Sequence, residues 1–196
     1  MADYSYEIIR SSRKTLLLQV RKDGSIVVRA PRRTTKAWIR RFVDSNHDWV
    51  DRRRAQLSET QRQADAAGLL SQEELRQLAE QAKRIIPQRV AYYAPLVGVT
   101  YGRITIRHQK TRWGSCSAKG NLNFNCLLML TPPEVLDSVV VHELCHRKEM
   151  NHSRRFYDEV LRVFPQYHQC DRWLKKNGPT LLRRMTGGAE AEAGSD

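Results

Sequence analysis

Four residues in the C-terminal half have the types and spacing for metal-assisted hydrolysis. His142 and His146 stand four apart with Glu143 directly after the first, an HExxH pattern, and His152 follows six residues later within VVVHELCHRKEMNH. On a helix, residues i and i+4 lie one turn apart on the same face, so the first two imidazoles can converge on one ion. Neutral imidazoles suit tetrahedral Zn2+, and catalytic zinc sites take three protein ligands and keep one position open. Glu143, facing that position, can take a proton from a water whose pKa the ion lowers toward about 7 and hand it to a leaving amine.

The third ligand sets a condition on the backbone. In an unbroken helix His152 would lie about 240° of rotation and about 9 Å of rise beyond His146, out of reach of the same ion. The helix must therefore stop between them, and Asn151 is the expected stop, since asparagine tolerates the left-handed conformation common past helix ends. The ligand spacing equals that of the HExxHxxGxxH metalloproteases, but Glu149 stands where their turn glycine falls, so the turn must be built differently. His47, His108 and His168 lack ligand spacing to the cluster. Tyr157, Tyr167 and His168 are candidates to stabilise an oxyanion, and Asp137 or Asp158 to orient a ligand imidazole through its second nitrogen.

Several elements must position these residues. Thr131-Pro132-Pro133-Glu134 places prolines where a helix begins, directly ahead of the HExxH segment. Before it, residues 112–117 and 121–126 flank Ser117-Ala118-Lys119-Gly120, a turn signal, and are expected to pair as strands; residues 99–107 form another strand. After it, a helix over about 153–164 is closed by Pro165, and a further turn of helix near 171–176 is halted by Asn177-Gly178-Pro179. Ser71 and Glu74 form a capping box that opens a helix using Leu75, Leu78, Ala82, Ile85 and Ile86, which Pro87 should kink or split. At the N-terminus, apolar runs around Lys22-Asp23-Gly24 predict a small antiparallel hairpin or meander, ended by Pro31. Thr34 then caps a helix, or two broken near Ser45-Asn46, with an arginine-rich exposed face.

The chain has 196 residues, 40% of them hydrophobic, and carries a net charge of +13. That length and composition fit a globular α+β protein, read as an N-terminal unit over 1–67, a catalytic unit over 68–186 and a disordered tail over 187–196. No apolar run is long enough to span a bilayer and the first residues lack the apolar core of a signal peptide, so a soluble cytoplasmic protein without a membrane partner is expected. Four cysteines without a CxxC pair are expected as reduced thiols. Residues 1–62 hold 15 Lys/Arg against 7 Asp/Glu. Such an excess raises the prospect of a nucleic-acid partner for the basic N-terminal half, through release of counterions from phosphates.

The run TRWGSCSAKGNLNFNCLLMLTPPEVLDSVVVHELCHRKEMNHS closely resembles the YgjP-like metallopeptidase family, related to the SprT-like and WLM (WSS-like) zinc proteases. IIRSSRKTLLLQVRKDGSIVVRAP, followed by a Trp-bearing basic helix, resembles it too, so the likeness covers roughly residues 6–178. It implies His142, His146 and His152 as zinc ligands, Glu143 as catalytic acid/base and a polypeptide substrate. It also implies a zincin-like unit in which a small antiparallel sheet lies against the active-site helix. In such folds an edge strand can pair with an extended peptide. Asn121, Asn123 and Asn125 are the substrate-binding candidates on that reading, with an internal hairpin strand as the alternative. The SprT-like and WSS-like groups degrade DNA-attached proteins, which extends the expectation to nucleic-acid-associated substrates.

Two other functions fit the same residues. A zinc hydrolase could act on a nucleotide or phosphoanhydride held by Arg112, Lys110 and Arg147. Alternatively, a closed four-ligand site would make zinc structural and the chain a non-catalytic nucleic-acid-binding module.

Overall fold

The computed structural model describes residues 4–21 and 23–185, so the expected tail over 187–196 lies outside the described residues. The chain forms two compact units, one ending at Gln63 and the other beginning at Ala64, four residues before the break expected from composition.

In the N-terminal unit, β2 (Leu17–Val20) and β3 (Ile26–Pro31) form an antiparallel hairpin. Gly24 adopts φ +82 in its turn, where Asp23 accepts hydrogen bonds from the Ser25 amide and hydroxyl. β1 (Tyr6–Ser11) pairs with the far side of β3 in parallel, giving the order β1-β3-β2. The expected all-antiparallel arrangement is therefore replaced by a mixed sheet. The cause is visible in β3, where Ile26, Val27, Val28 and Ala30 are all buried: a strand apolar on both faces belongs in the middle. Thr35, one residue later than expected, caps α1 (Lys36–Asp44) by accepting the Trp38 amide, and Ile39 and Val43 turn inward. α2 (His47–Ala67) follows the break at Ser45-Asn46 and carries the chain across the unit boundary.

The C-terminal unit begins with α3 (Gln72–Val97), opened by the reciprocal Ser71–Glu74 capping box and closed by Gly98 at φ +77. α3 runs through both Pro87 and Pro95. A proline inside a helix costs about 3 kcal/mol or more. Ala82, Ile86, Val90, Tyr93, Ala94 and Val97 are buried along the same helix, and fully burying an aliphatic side chain contributes about 1.5–3 kcal/mol, so packing outweighs the missing amides.

β4 (Ile104–Arg107), β5 (Gly114–Cys116) and β6 (Leu122–Asn125) form a second mixed sheet of order β4-β6-β5, with β4 parallel and β5 antiparallel to β6. A short 3-10 turn (Cys126–Leu130) leads into α4 (Pro133–Cys145), which has Pro133 at its first position and carries HExxH. α4 packs on β5, α3, α5 (Arg154–Val163) and α6 (Tyr167–Arg183). This is a small sheet against the helix that carries HExxH, an α+β arrangement, with a mixed rather than an antiparallel sheet.

α6 is much longer than the single turn expected and passes through Gly178-Pro179. A Cβ at Gly178 would stand 3.1 Å from Trp113, so the glycine serves close packing of the indole, not helix termination. Arg89 on α3 grips Asp137 on α4 through two 2.6 Å bonds, and Tyr93 donates to the same carboxylate at 3.1 Å. Among the described residues no helix is long and apolar enough to cross a membrane.

Candidate metal centre

α4 is buried almost all round; His142 is half-buried in its last turn, and His146, just past it, is buried. The helix ends there: Cys145 is its last residue and His146 its cap at φ −62, ψ −13. The requirement that helix stop before His152 is met, but about five residues earlier than the expected stop at Asn151. Among the described residues no non-glycine residue has positive φ, so Asn151 is not the left-handed cap.

The turn is instead wound tightly and tied down. Arg147 and Lys148 amides reach back three residues to the Leu144 and Cys145 carbonyls. The Arg147 guanidinium donates to the Thr100 and Ala118 carbonyls at 3.1 Å each. Gly120 makes room for it, since a Cβ there would stand 2.8 Å from the guanidinium carbon. Lys148 meets Glu159 of α5 at 2.6 Å, and Arg162 holds the same carboxylate at 2.7 Å. These two cations hold the Glu159 carboxyl down to about 2, Arg162 being the larger influence. Ser153 then caps α5 by accepting the Phe156 amide, which delivers His152 back beside the helix end.

The result is a convergent triad: one ring nitrogen from each of His142, His146 and His152 lies within 4.8 Å of the others. The His142 and His152 Nε2 atoms are 3.0 Å apart. Two nitrogens bound to one tetrahedral zinc would stand roughly 3.3 Å apart, within that range. The outer nitrogens of His142 and His146 are engaged. The Glu149 carbonyl meets His146 Nδ1 at 3.0 Å, and the Tyr167 hydroxyl meets His142 Nδ1 at 2.8 Å. Nδ1–H donating outward leaves the Nε2 lone pairs facing one another, the arrangement of metal-ligating histidines. Burial, helped by the neighbouring rings of His146 and His152, pushes His142 down to about 3, and burial also lowers His146. Both rings are thereby held neutral, as ligands must be. The residues present fit a zinc ion.

Phe156 is fully buried and lies beneath all three rings, with centroids 4.9, 4.6 and 4.9 Å from His142, His146 and His152. Glu143 is 5% exposed and lines the same open depression as Arg112, Gly114, Ser115, Cys116, Met150 and the three histidines. Burial raises its carboxyl to about 8, with Arg112 pulling weakly the other way. Gly114 on β5 lies against it: a Cβ there would stand 2.6 Å from Glu143 Oε1 and 2.7 Å from Cγ. Only glycine leaves the carboxylate in place.

The other expected site residues separate. β6 is the central strand, with both ladders occupied, so the peptide-pairing edge cannot be residues 121–125; the edges are β4 and β5. Asn121 accepts the Arg103 amide at 3.0 Å, and Asn125 is fully buried, donating to the Gln109 and Arg112 carbonyls and accepting the Leu127 amide. Asn123 donates to Ser115, which lines the depression. Asp137 is committed to Arg89 and Asp158 faces Arg154 at 3.9 Å, so neither orients a histidine; Tyr167 does. Arg147 is bonded to carbonyls and leaves Arg112 as the cation lining the site.

Phe156 was legible only as core of α5, although it stands one turn after His152. The roles of Tyr167 and Gly114 had no local signal, since their contacts come from segments 25 and 29 residues away.

Comparison with known proteins adds four observations. The profile of a family described as YgjP-like, metallopeptidase domain, matches residues 14–78 and 70–177. Among curated proteins, UTP pyrophosphatase of Escherichia coli (strain K12) is 34% identical over 62 residues, which is 32% of this chain and 37% of that protein's length. Among solved structures, the metallopeptidase zymogen abylysin of Pyrococcus abyssi is 24% identical, with TM-score 0.43, over 47% of this chain and 94% of its own. Jannalysin of Methanocaldococcus jannaschii is 21% identical, with TM-score 0.43, over 48% of this chain and 97% of its own.

Proposed function

The chain belongs to the YgjP-like metallopeptidase family, and from that membership we propose that it is a zinc-dependent hydrolase of peptide bonds, with His142, His146 and His152 as ligands and Glu143 as general base and acid. The observation that carries the reading is the convergence of three imidazole nitrogens with a buried carboxylate in one depression. Zinc held by the three histidines would supply Lewis acidity, making water a good nucleophile near neutral pH and polarising the substrate carbonyl. Glu143 takes the water's proton and returns it to the leaving amine. Phe156 keeps the floor dry, and Tyr167 with the Glu149 carbonyl holds two rings in the ligating orientation. β5 is an edge strand whose three residues line the depression, so an extended peptide adding to it would pass the carboxylate.

The test is cleavage of an unstructured protein by zinc-loaded wild type and Glu143→Gln, with metal content measured in both. A loss of roughly 10²–10⁴-fold with zinc retained supports the assignment, on the usual scale of acid–base catalysis. Equal cleavage by the two proteins sinks it.

A second reading has its own support. Among the described residues Arg112 lines the depression without an ion-pair partner, and the partial relative is a UTP pyrophosphatase, so the same centre could hydrolyse a phosphoanhydride with Arg112 holding phosphate. A panel of UTP and other nucleoside triphosphates beside the protein substrate separates the two. UTP turnover that falls with both Glu143→Gln and Arg112→Ala, without proteolysis, selects the second reading. Action on nucleic-acid-associated proteins, in the cytoplasm, remains part of the first.

A further inference from the structure

We propose that the outward face of α1 is a binding site for single-stranded nucleic acid, in which a base stacks on Trp38 and the phosphates lie against Lys36, Arg40, Arg41, Arg32 and Arg33. Two independent observations carry this.

The first is an exposed indole. Trp38 is 57% exposed on a nine-residue helix whose inward face is already supplied by Ile39 and Val43. Tryptophan carries the largest apolar surface of any side chain, and leaving it in water forgoes the stabilisation that burial brings. Nothing in the packing of α1 requires it outside. An indole face is also sequence-tolerant for nucleobases, since every base has a π-face to stack.

The second is the charge around it. At 100° per residue, Lys36, Arg40, Ala37, Arg41 and Trp38 fall within an arc of about 200° that also holds Asp44 and begins about 20° from Val43, with Arg41 and Trp38 adjacent at i and i+3. All five are exposed, as are Arg32 and Arg33 on the turn that leads into the helix. Arg10 fixes that turn by donating to the Pro31, Arg32 and Thr34 carbonyls, so the two arginines project from an ordered backbone. Among the described residues none of the five cations is paired with a carboxylate. Asp44, the only acid in α1, makes no ion pair with Arg40 one turn before it. Cations that merely solubilise a surface are usually interspersed with acids. Three cations on the helix and two on the turn that leads into it, against the single acid Asp44, match the groove-and-stack chemistry of single-strand binders. A duplex offers the indole no free base, and an anionic membrane would call for a larger apolar face than one tryptophan.

The experiment is fluorescence anisotropy of the full chain with labelled oligo-dT and oligo-rU of about 20 nucleotides, a duplex of the same length, and phosphatidylglycerol vesicles, over a series of salt concentrations. Single strands should bind tighter than duplex or vesicles, and log K against log salt should fall with a slope of about −3 if four to five phosphates are contacted. Trp38→Ala should weaken single-strand binding about tenfold with the slope unchanged, and Trp38→Phe should restore most of it. Arg40→Ala with Arg41→Ala should flatten the slope by about 1.4. Arg172→Ala with Lys176→Ala removes the same charge from α6 in the other unit and should change neither. Circular dichroism and the zinc content of each variant serve as fold controls. The proposal is overturned if Trp38→Ala binds like wild type, if the α6 variant loses as much as the α1 variant, or if vesicles or duplex bind more tightly than single strands.

Discussion

The two sheets share one topology and differ in what they do with it. In each, the first strand runs parallel to the third and the second pairs antiparallel with the third, giving β1-β3-β2 and β4-β6-β5. The central strand of the first, Ile26–Pro31, is apolar on both faces. The central strand of the second, Leu122–Asn125, is apolar only on the face of Leu122 and Phe124, while Asn123 and Asn125 spend their side chains on Ser115, Gln109 and Arg112. The candidate metal centre lies at the second sheet, which keeps a polar face, a glycine at its edge and a helix end beside it. Topology alone confers none of these.

That contrast can be broken in order of expected effect. Gly114→Ala should cost roughly 10²–10⁴-fold in hydrolysis, because the added methyl displaces the Glu143 carboxylate, with zinc content and melting temperature close to wild type. Near-wild-type turnover would show that Glu143 is not held by β5. In the other sheet Ile26→Ala should do the opposite: about 3 kcal/mol of stability lost, measured by urea unfolding of the N-terminal unit, with catalysis at low temperature intact. Tyr167→Phe keeps the ring that stacks on His142 but deletes the hydroxyl, and should weaken zinc binding about 10–100-fold in a chelator competition. An unchanged affinity would make Tyr167 packing only.

The smallest effect concerns the turn that returns His152. Glu159 has its carboxyl held at about 2, well below its ordinary 4.5, by Arg162 and Lys148. A depressed carboxyl stabilises the fold fully above its unfolded pKa and loses that contribution as pH falls from about 4.5 toward 2. The melting temperature should therefore drop across that window by a few degrees more in wild type than in Glu159→Gln. Parallel curves would remove the Lys148–Glu159–Arg162 strap from the account of the turn.

The site was legible in the sequence to the extent that its geometry is local. Four-residue spacing on a helix puts His142 and His146 on one face whatever the rest of the chain does, and the rotation per residue demands a break before His152. Element types were legible for the same reason: Ser71 with Glu74, Asp23-Gly24, and Pro132-Pro133 act within a few residues of themselves. Three things were decided only by tertiary contacts. The helix ended at Cys145 because Arg147 and Lys148 found the Thr100, Ala118 and Glu159 oxygens, a set drawn from three separate segments. β6 took the middle of its sheet because β4 arrived parallel from before the β5–β6 hairpin, an order that strand patterns alone leave open. Tyr167 reached His142, and Gly114 reached Glu143, across 25 and 29 residues of chain. The residue types that can perform the chemistry follow from the sequence. Their orientation, and the room in which they act, depend on packing between segments that no local periodicity encodes.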